Sequence, residues 1–191
     1  MPATERPSSR DRMIEAAIDL LRAYGLKGAG INDVIAASGA PRGSLYHFVP
    51  DGKLQMAREA LSVHGDRMAA FIDEALAGKR AGPQKVAALF EAFARRAEET
   101  QFSRSCPFGC VALDLDDETE DLREVVAQGF DTWRGLIASH FQAELGARAA
   151  AEFAGLVLTG IEGAYVRARA EHSGGAFRET GRWLSRLAVK P

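Results

Sequence analysis

Hydrophobic residues recur every three to four positions along most of this chain, which is the repeat of an amphipathic α-helix. The first such run follows Ser8 and Asp11, which fit a capping box, and Gly25 ends it. Turn residues and helix-initiating prolines separate the later runs. The pattern predicts helices over 9–24, 31–38, 41–47, 53–77, 82–100, 107–114, 116–145, 147–171 and 175–188.

The composition favours an all-α fold. Alanine occurs 34 times against 23 for Val, Ile and Thr together, and alanine is the better helix former because it loses no side-chain entropy. Apolar residues make up 47% and charged residues 26% of the chain, the balance of a soluble globular protein. No stretch without Asp, Glu, Lys or Arg exceeds nine residues, whereas a membrane-spanning helix needs about 20 apolar residues. The N-terminus lacks the apolar run of a signal peptide, so we expect a cytoplasmic protein without membrane contact.

The short predicted helices over 31–38 and 41–47 are joined by a tight turn at Gly39 and Ala40. Helices of this length are unstable alone, so they must pack on the helices before and after them. This arrangement is a helix-turn-helix unit, whose second helix presents side chains to the DNA major groove. Residues 1–53 carry seven Lys and Arg against six Asp and Glu, while the remainder carries 17 against 20. A nucleic-acid surface is therefore expected in the N-terminal part.

The segment GLKGAGINDVIAASGAPRGSLYHFVPDGK closely resembles the N-terminal domain of TetR-family transcriptional repressors. Gly39, the string Gly43-Ser44-Leu45-Tyr46 and Lys53 fall where that family's pattern expects them, while Gly30 stands where a Ser or Thr cap is common. The resemblance implies a nine-helix TetR-like architecture that works as a homodimer on double-stranded operator DNA. It assigns DNA binding to residues 1–53, and effector binding and dimerisation to residues 54–191.

The resemblance also implies which residues contact DNA. Arg42 and Ser44 would approach base edges, and Lys53 at a helix N-terminus would hold a phosphate. Outside such a motif, residues like Arg42 and Lys53 are usually solvated surface charges, and a tyrosine like Tyr46 is usually part of the core. Their spacing within a helix-turn-helix favours DNA binding instead. The implied DNA contacts are Asn32, Pro41, Arg42, Gly43, Ser44, Tyr46, His47 and Lys53.

GAPRGSLYHF together with CPFGCVALDLDDE resembles one branch of the family, in which repressors of multidrug or xenobiotic efflux genes occur. That resemblance implies a cavity for a small hydrophobic effector in the C-terminal helices. Aromatic and Met residues at helical spacing are commonly plain core, but ligand pockets are also mostly apolar with a few polar anchors. The expected lining, with His64, Glu162 and Tyr165 as anchors, is His64, Met68, Phe71, Phe90, Phe93, Phe130, Trp133, Ile137, Glu162 and Tyr165.

Residues 153–168 are apolar around most of the predicted helix, more than one face of a monomer would bury. Gly155, Gly160 and Gly163 permit close approach of another helix. We therefore expect the last two helices to form a homodimer interface, whose two-fold symmetry predicts a palindromic operator. The expected interface residues are Phe153, Leu156, Val157, Gly160, Gly163, Trp183, Leu184 and Leu187.

Cys106 and Cys110 are the only cysteines. Two thiols without further ligands make a poor zinc site, so buried packing is favoured, and a thiol redox sensor stays open as an alternative.

The acidic run over 114–121 could be a cation site, but acids in the first turn of a helix are stabilised by the helix dipole, so we interpret the run as helix capping. We find no nucleophile with its base, no phosphate-binding loop and no ligand cluster, and expect no enzymatic activity, cofactor or metal. Two further alternatives are a ligand-independent helix-turn-helix protein, and a helical enzyme or carrier whose N-terminal helices only cap the bundle.

Overall fold

The structure is a computed structural model that describes residues 7–41, 43, 47–78 and 81–189. Within these ranges the chain forms nine α-helices and two short 3-10 helices, with no strand. This confirms the predicted all-α fold. The α-helices are α1 (Ser9–Gly28), α2 (Ile31–Ser38), α3 (Gly52–Leu76), α4 (Gly82–Glu99), α5 (Pro107–Asp114), α6 (Asp121–Ser139), α7 (Gln142–Leu145), α8 (Ala147–Glu171) and α9 (Gly175–Leu184).

The helices group into two compact units that no single cut in the chain separates. The first unit consists of Met1–His64 and Pro107–Val126, and the second of Gly65–Cys106 and Ala127–Pro191. Helix α3 therefore contributes its first half to one unit and its second half to the other. The assignment of DNA binding to residues 1–53 and of effector binding to residues 54–191 remains a prediction.

In the first unit, α1 packs against α2 and α5. The predicted capping box is confirmed: the Asp11 N–H donates to Ser8 Oγ at 3.1 Å, and the Ser8 N–H donates to Asp11 Oδ2 at 3.1 Å. These hydrogen bonds lower the pKa of Asp11, since they favour its charged form. The core of this unit contains Met13, Ile14, Ala17, Ile18, Leu21, Val34, Ile35, Met56, Leu61, Phe108, Val111 and Leu122.

The turn after α2 takes the form that the sequence predicts. Gly39 has a left-handed backbone with φ of 60°, which glycine adopts without the steric cost of a Cβ atom. The last carbonyl of α2, Ser38 O, accepts from Arg12 Nε at 3.2 Å. A carbonyl at the end of α2, which has no hydrogen-bond partner within its own helix, thus links α2 to α1. At the other end of α2, Gly30 provides no side-chain cap.

In the second unit, α9 packs against α4 and α8. A Cβ atom on Gly181 would lie 2.5 Å from Phe90 Cβ, so the glycine is needed for α9 to approach α4. Arg178 of α9 donates to Glu91 and Glu98 of α4, each at 2.8 Å. The core of this unit contains Met68, Ile72, Leu76, Val86, Leu89, Phe90, Phe93, Trp133, Ile137, Phe141, Phe153, Val157, Ile161, Tyr165 and Phe177.

Helix α8 is long and apolar enough to cross a membrane, alone among helices of the described residues, a property that core helices of soluble proteins share. Phe153, Val157, Ile161 and Tyr165 on this helix are buried inside the second unit. One face of α8 is therefore packed in the core of the second unit.

The single helix expected over 116–145 is interrupted. A 3-10 turn over Asp117–Thr119 precedes α6, and a break at His140 and Phe141 separates α6 from α7. Lys85 explains the break, since its Nζ donates to His140 O at 2.7 Å and to Glu144 Oε1 at 2.9 Å. A cation from another helix thus binds the carbonyl that a continuous helix would use internally.

Candidate DNA-binding surface and effector cavity

The described residues that the sequence assigned to DNA lie mostly at the surface of the first unit. Asn32, Pro41, Gly43 and His47 are exposed. Asn32 lies in the first turn of α2, and His47 is helical with its ring packed edge-on to Phe48 at 5.1 Å. Arg42, Ser44 and Tyr46 lie outside the described residues.

Lys53 belongs to a set of contacts around Lys27 at the end of α1. Its Nζ donates to Lys27 O at 3.3 Å, and the Lys27 N–H donates to Asp114 Oδ2 at 2.9 Å. Lys27 Nζ also lies 3.5 Å from Asp116 Oδ2. A hydrogen bond from Thr119 and the nearby Lys27 lower the pKa of Asp116. We call Lys27, Lys53, Asp114 and Asp116 the Lys27 junction.

Gly25 makes the Lys27 junction possible. Its φ of 71° breaks the regular path of α1, and a Cβ atom there would lie 2.5 Å from Asp114 Oδ2. Any larger residue would be strained by the backbone angle and would push Asp114 away from Lys27. The residue before this break, Tyr24, is 64% exposed.

The second unit contains a small, nearly closed cavity. Five of the predicted lining residues meet there: Met68, Phe93, Trp133, Glu162 and Tyr165. Its free volume of about 10 Å³ is room for about one water molecule. Trp133 is held in place because its Nε1 donates to Gly65 O at 3.1 Å. The full lining is Met68, Ile72, Phe93, Cys106, Trp133, Leu158, Ile161, Glu162 and Tyr165.

Glu162 is the one residue of this lining that ordinarily carries a charge at neutral pH. Burial raises its pKa to about 7, and a weaker opposing effect comes from a side-chain hydrogen bond with Cys106. A carboxylate in apolar surroundings loses its hydration, so the neutral form is favoured. Near neutral pH this group therefore divides between its protonated and its charged form.

The remaining predicted lining residues lie elsewhere. His64 is buried in the first unit, and Phe90 packs at Gly181. Phe130 lies edge-on behind Trp133, with ring centroids 5.7 Å apart, and Ile137 is buried one turn further along α6. Helical periodicity assigns a residue to the inward face of its helix, but it does not say which neighbouring helix that position meets.

Phe71 lies beside the cavity rather than in it. Its ring packs edge-on against Phe93, with centroids 5.1 Å apart, and its other side borders an open groove. That groove has a volume of about 480 Å³ and is lined by Phe71, Glu74, Ala75, Ala88, Glu91, Ala92 and Arg95. The groove has the volume of a typical ligand site but not its enclosure, since such sites bury most of their ligand.

Four lining residues were missed by the sequence argument. Ile72 follows Met68 by one turn, and Leu158 precedes Glu162 by one turn, so the helical repeat contained both. Ile161 was assigned to no site, and Cys106 was expected to pack in the core or, as the alternative, to sense oxidants, but not to line the cavity. The sequence signal for Cys106 was the CPFGC motif over 106–110, in which Cys106 directly precedes the first residue of α5.

Apolar side chains are also exposed on the last helices of the second unit. Leu156, Val166, Trp183 and Leu187 are each more than half exposed. Phe153 and Val157, also expected at an interface, are instead buried within their own unit.

Three other expected interface residues, Gly160, Leu184 and Gly163, differ in their surroundings. A Cβ atom on Gly160 would lie 2.9 Å from Thr180, so Gly160 faces α9 of its own chain and not a partner. Leu184 lies 3.3 Å from the same position. Gly163, in contrast, is exposed with open space around it.

Residues 83–182 match the family model for the C-terminal domain of LmrA/YxaF-like transcriptional regulators. This chain belongs to the TetR family. An uncharacterised HTH-type transcriptional regulator of Mycobacterium tuberculosis is 36% identical to it over 166 residues, which cover 84% of each chain. The chain is accordingly a DNA-binding transcriptional regulator, as the resemblance of its helix-turn-helix segment implied.

Solved structures show the same TetR fold. A regulatory protein TetR from Rhodobacter sphaeroides superposes with a TM-score of 0.84 at 24% identity, covering 93% of this chain and 97% of that one. The TetR-family regulator CifR, solved with 26-bp operator DNA, superposes with a TM-score of 0.80 at 21% identity, covering 95% and 98%. The TetR-like architecture predicted from the sequence is thus confirmed.

Proposed function

We propose that this chain is a homodimeric, cytoplasmic repressor that releases a palindromic operator when a small effector binds the cavity lined by Trp133, Tyr165 and Glu162. The first unit binds the operator, and the second unit binds the effector and the partner subunit. No catalytic step is part of this function, in line with relatives that are transcriptional regulators.

The observation that carries the proposal is the position of Cys106. This residue lines the cavity, and the next residue begins α5, whose last residue, Asp114, accepts from Lys27. Lys27 in turn accepts from Lys53, a proposed phosphate contact. A displacement at Cys106 would reach Lys53 through one short helix and two hydrogen bonds.

Helix α3 provides a second physical link. It runs without interruption from Gly52 to Leu76, so Lys53 near its start and Met68 in the cavity belong to one rod. An effector that displaces Met68 would tilt this rod and move Lys53.

Operator release requires an effector that binds one shape of the dimer more tightly than the other. A 100-fold loss of operator affinity corresponds to about 2.7 kcal/mol of coupling. The cavity must open to admit an effector, because its present free volume accommodates about one water. The opening supplies the difference in shape on which such coupling depends.

The surroundings of Cys106 argue against thiol sensing as the main function. Cys106 is buried, and its side chain is hydrogen-bonded to Glu162. A carboxylate beside a thiol disfavours the thiolate, which is the form that reacts with oxidants and electrophiles. Packing in the cavity wall is the role that this geometry supports.

DNA binding is tested by gel-shift titration on DNA fragments selected with the purified protein. Replacing Arg42 by Ala is expected to relax base preference at a cost of about 1 to 3 kcal/mol if it makes a bidentate base contact. Lys53→Ala is expected to weaken binding to all DNA sequences alike and to make the affinity less dependent on salt concentration. Arg148→Ala, which removes a cation of the second unit that is 94% exposed, is the matched control. If both test variants bound DNA with the affinity, base preference and salt dependence of wild type, the proposal would be contradicted.

The effector function is tested by adding compounds that quench tryptophan fluorescence to the protein–operator complex. Binders of the cavity are expected to release the operator, and Trp133→Ala is expected to abolish the response. A packed cavity that accepts no compound, with operator affinity constant across the panel, would favour a ligand-independent regulator instead.

A further inference from the structure

We propose that the effector carries one positive charge on a hydrophobic, preferably aromatic, body, and that Glu162 binds this charge. The inference rests on the proposed function, because it names the chemical class of the molecule that enters the cavity of the second unit. It concerns a lipophilic ammonium compound rather than a neutral phenol or hydrocarbon.

The composition of the cavity wall supports this class. Glu162 is the single acidic side chain among residues that are otherwise apolar or aromatic, apart from the Cys106 thiol. Within this described lining no Lys, Arg or His provides a counter-charge. A carboxylate in such apolar surroundings is costly unless a cation pairs with it, and the partner that Glu162 has in this lining is the neutral Cys106 thiol. The missing cation is therefore the feature that a ligand would supply.

The rings around Glu162 are suited to the same ligand. Phe93, Trp133 and Tyr165 contribute three aromatic side chains to the lining. The Phe93 ring packs edge-on against Tyr165 with centroids 6.0 Å apart, and the Trp133 ring is fixed by its hydrogen bond to Gly65. Aromatic faces attract alkylammonium groups, and the attraction is stronger where water is excluded.

Protonation of Glu162 keeps the empty cavity stable. Burial raises the pKa of this carboxyl to about 7, so near neutral pH about half of the molecules hold it uncharged. A bound cation would favour the carboxylate and drive the remaining proton into solution. Cys106 and Tyr165 are the other titratable groups of this lining, and both ordinarily titrate above pH 8. Because histidine side chains also ordinarily titrate in the range from pH 6 to 8, the proton assigned to Glu162 is the part of the release that is lost in Glu162→Gln.

The test compares two probes of the same shape, benzyltrimethylammonium and its uncharged carbon isostere neopentylbenzene. Calorimetric titration of the full-length protein in buffers of different ionisation enthalpy gives the affinity and the number of protons released. For the cation we expect release of about 0.9 proton at pH 6 and about 0.1 at pH 8, because the free carboxyl has a pKa of about 7. Its affinity should rise about tenfold per pH unit below pH 7 and level off above it.

Glu162→Gln preserves the shape of the side chain but removes its charge. We expect this variant to bind the cation at least about tenfold more weakly at pH 8, with no proton release, and to bind the isostere within about threefold of wild type. Glu99→Gln, an equal change of charge at an exposed position of α4, is the matched control and should behave as wild type.

Three outcomes would overturn the inference: equal affinity of wild type for both probes, cation binding without proton release near pH 6, or no cation binding up to about 10 mM. Gel shifts that measure operator binding in the same samples distinguish failure of the cation inference from failure of the proposed function. If neutral aromatic compounds release the operator and cations do not, the cavity is an effector site of another class. If no compound of either class changes operator binding, the proposed function itself is wrong.

Discussion

Single charged residues in this chain differ greatly in what they contribute, because burial decides the strength of an ion pair. Lys85 and Glu144 are 12% and 27% exposed, and they form a 2.9 Å pair. Arg148 and Glu152 are 94% and 73% exposed and lie 3.8 Å apart. The first pair also binds the His140 carbonyl where α6 ends, whereas the second pair is solvated.

Lys85→Met tests this difference. The methionine keeps the apolar part of the side chain, but it leaves Glu144 and the His140 carbonyl without their donor. We expect a loss of about 2 to 3 kcal/mol in the free energy of unfolding, measured by urea denaturation. Arg148→Met should cost less than about 0.5 kcal/mol, since exposed pairs contribute little. Equal losses from the two variants would contradict this account of the helix break.

Glu162 makes stability depend on pH in a predictable direction. Its pKa is raised from 4.5 to about 7 in the folded chain, so its charged form is disfavoured there relative to the unfolded chain. Wild type should therefore lose stability relative to Glu162→Gln as the pH rises from about 4.5 to 7, by up to about 3 kcal/mol, and no further above that. Urea denaturation of both proteins at pH 5, 6, 7 and 8 measures the difference. A difference that does not change with pH would contradict the raised pKa of this carboxyl.

At the scale of helices, the sequence predicts what local chemistry decides. The Ser8 and Asp11 capping box and the turn at Gly39 appear as predicted because neighbouring residues alone determine them. The break at His140 was not predictable, since it depends on a lysine 55 residues away. The cavity was predicted in part: the inward faces of the helices were identifiable, but which faces meet depends on how close glycines such as Gly181 let the helices come.

Helix α5 is the element whose alteration should separate regulation from stability. Asp114→Ala removes the acceptor for the exposed Lys27 N–H, which water can replace, so the free energy of unfolding should fall by only about 1 kcal/mol. Operator affinity without effector should stay within about threefold of wild type. The ratio of operator dissociation constants with and without saturating effector should fall about fivefold or more, since coupling energies are themselves only a few kcal/mol.

The matched control for Asp114→Ala is Asp117→Ala, which removes an exposed acid of the same acidic run. It should leave the ratio unchanged. A normal ratio in Asp114→Ala would show that the effector signal does not pass through the Lys27 junction.

For the whole molecule, the exposed apolar residues of α8, of α9 and of the 3-10 turn after α9 favour a homodimer. Leu156, Val166, Trp183 and Leu187 are 54% to 66% exposed, which is costly unless another subunit covers them. A two-fold axis through such a face would pair two operator half-sites with two recognition helices. Leu113 is more exposed still, at 85%, but it lies in the first unit and serves here as a comparison.

Val166→Glu should disrupt the proposed dimer. A carboxylate facing its own symmetry mate loses hydration and meets a like charge, so sedimentation at micromolar concentration should give a monomer. Operator affinity should then fall about 100-fold or more, because the second half-site is no longer bound within the same complex. Leu113→Glu should remain dimeric and bind the operator normally. A dimeric Val166→Glu would place the interface on another face.

The division of the chain into units also governs the order in which the protein matures on the ribosome. The first unit takes its last core residues, Phe108, Val111 and Leu122, from a segment that begins more than 40 residues after His64. At about 5 to 20 residues per second, α1 and α2 wait several seconds for these residues. A nascent chain that stops within the first 100 residues therefore lacks part of the core of the first unit. If the first unit binds the operator as proposed, a prematurely terminated chain of this length cannot bind it, and operator binding begins only after the segment that contains Cys106 and α5 has been made.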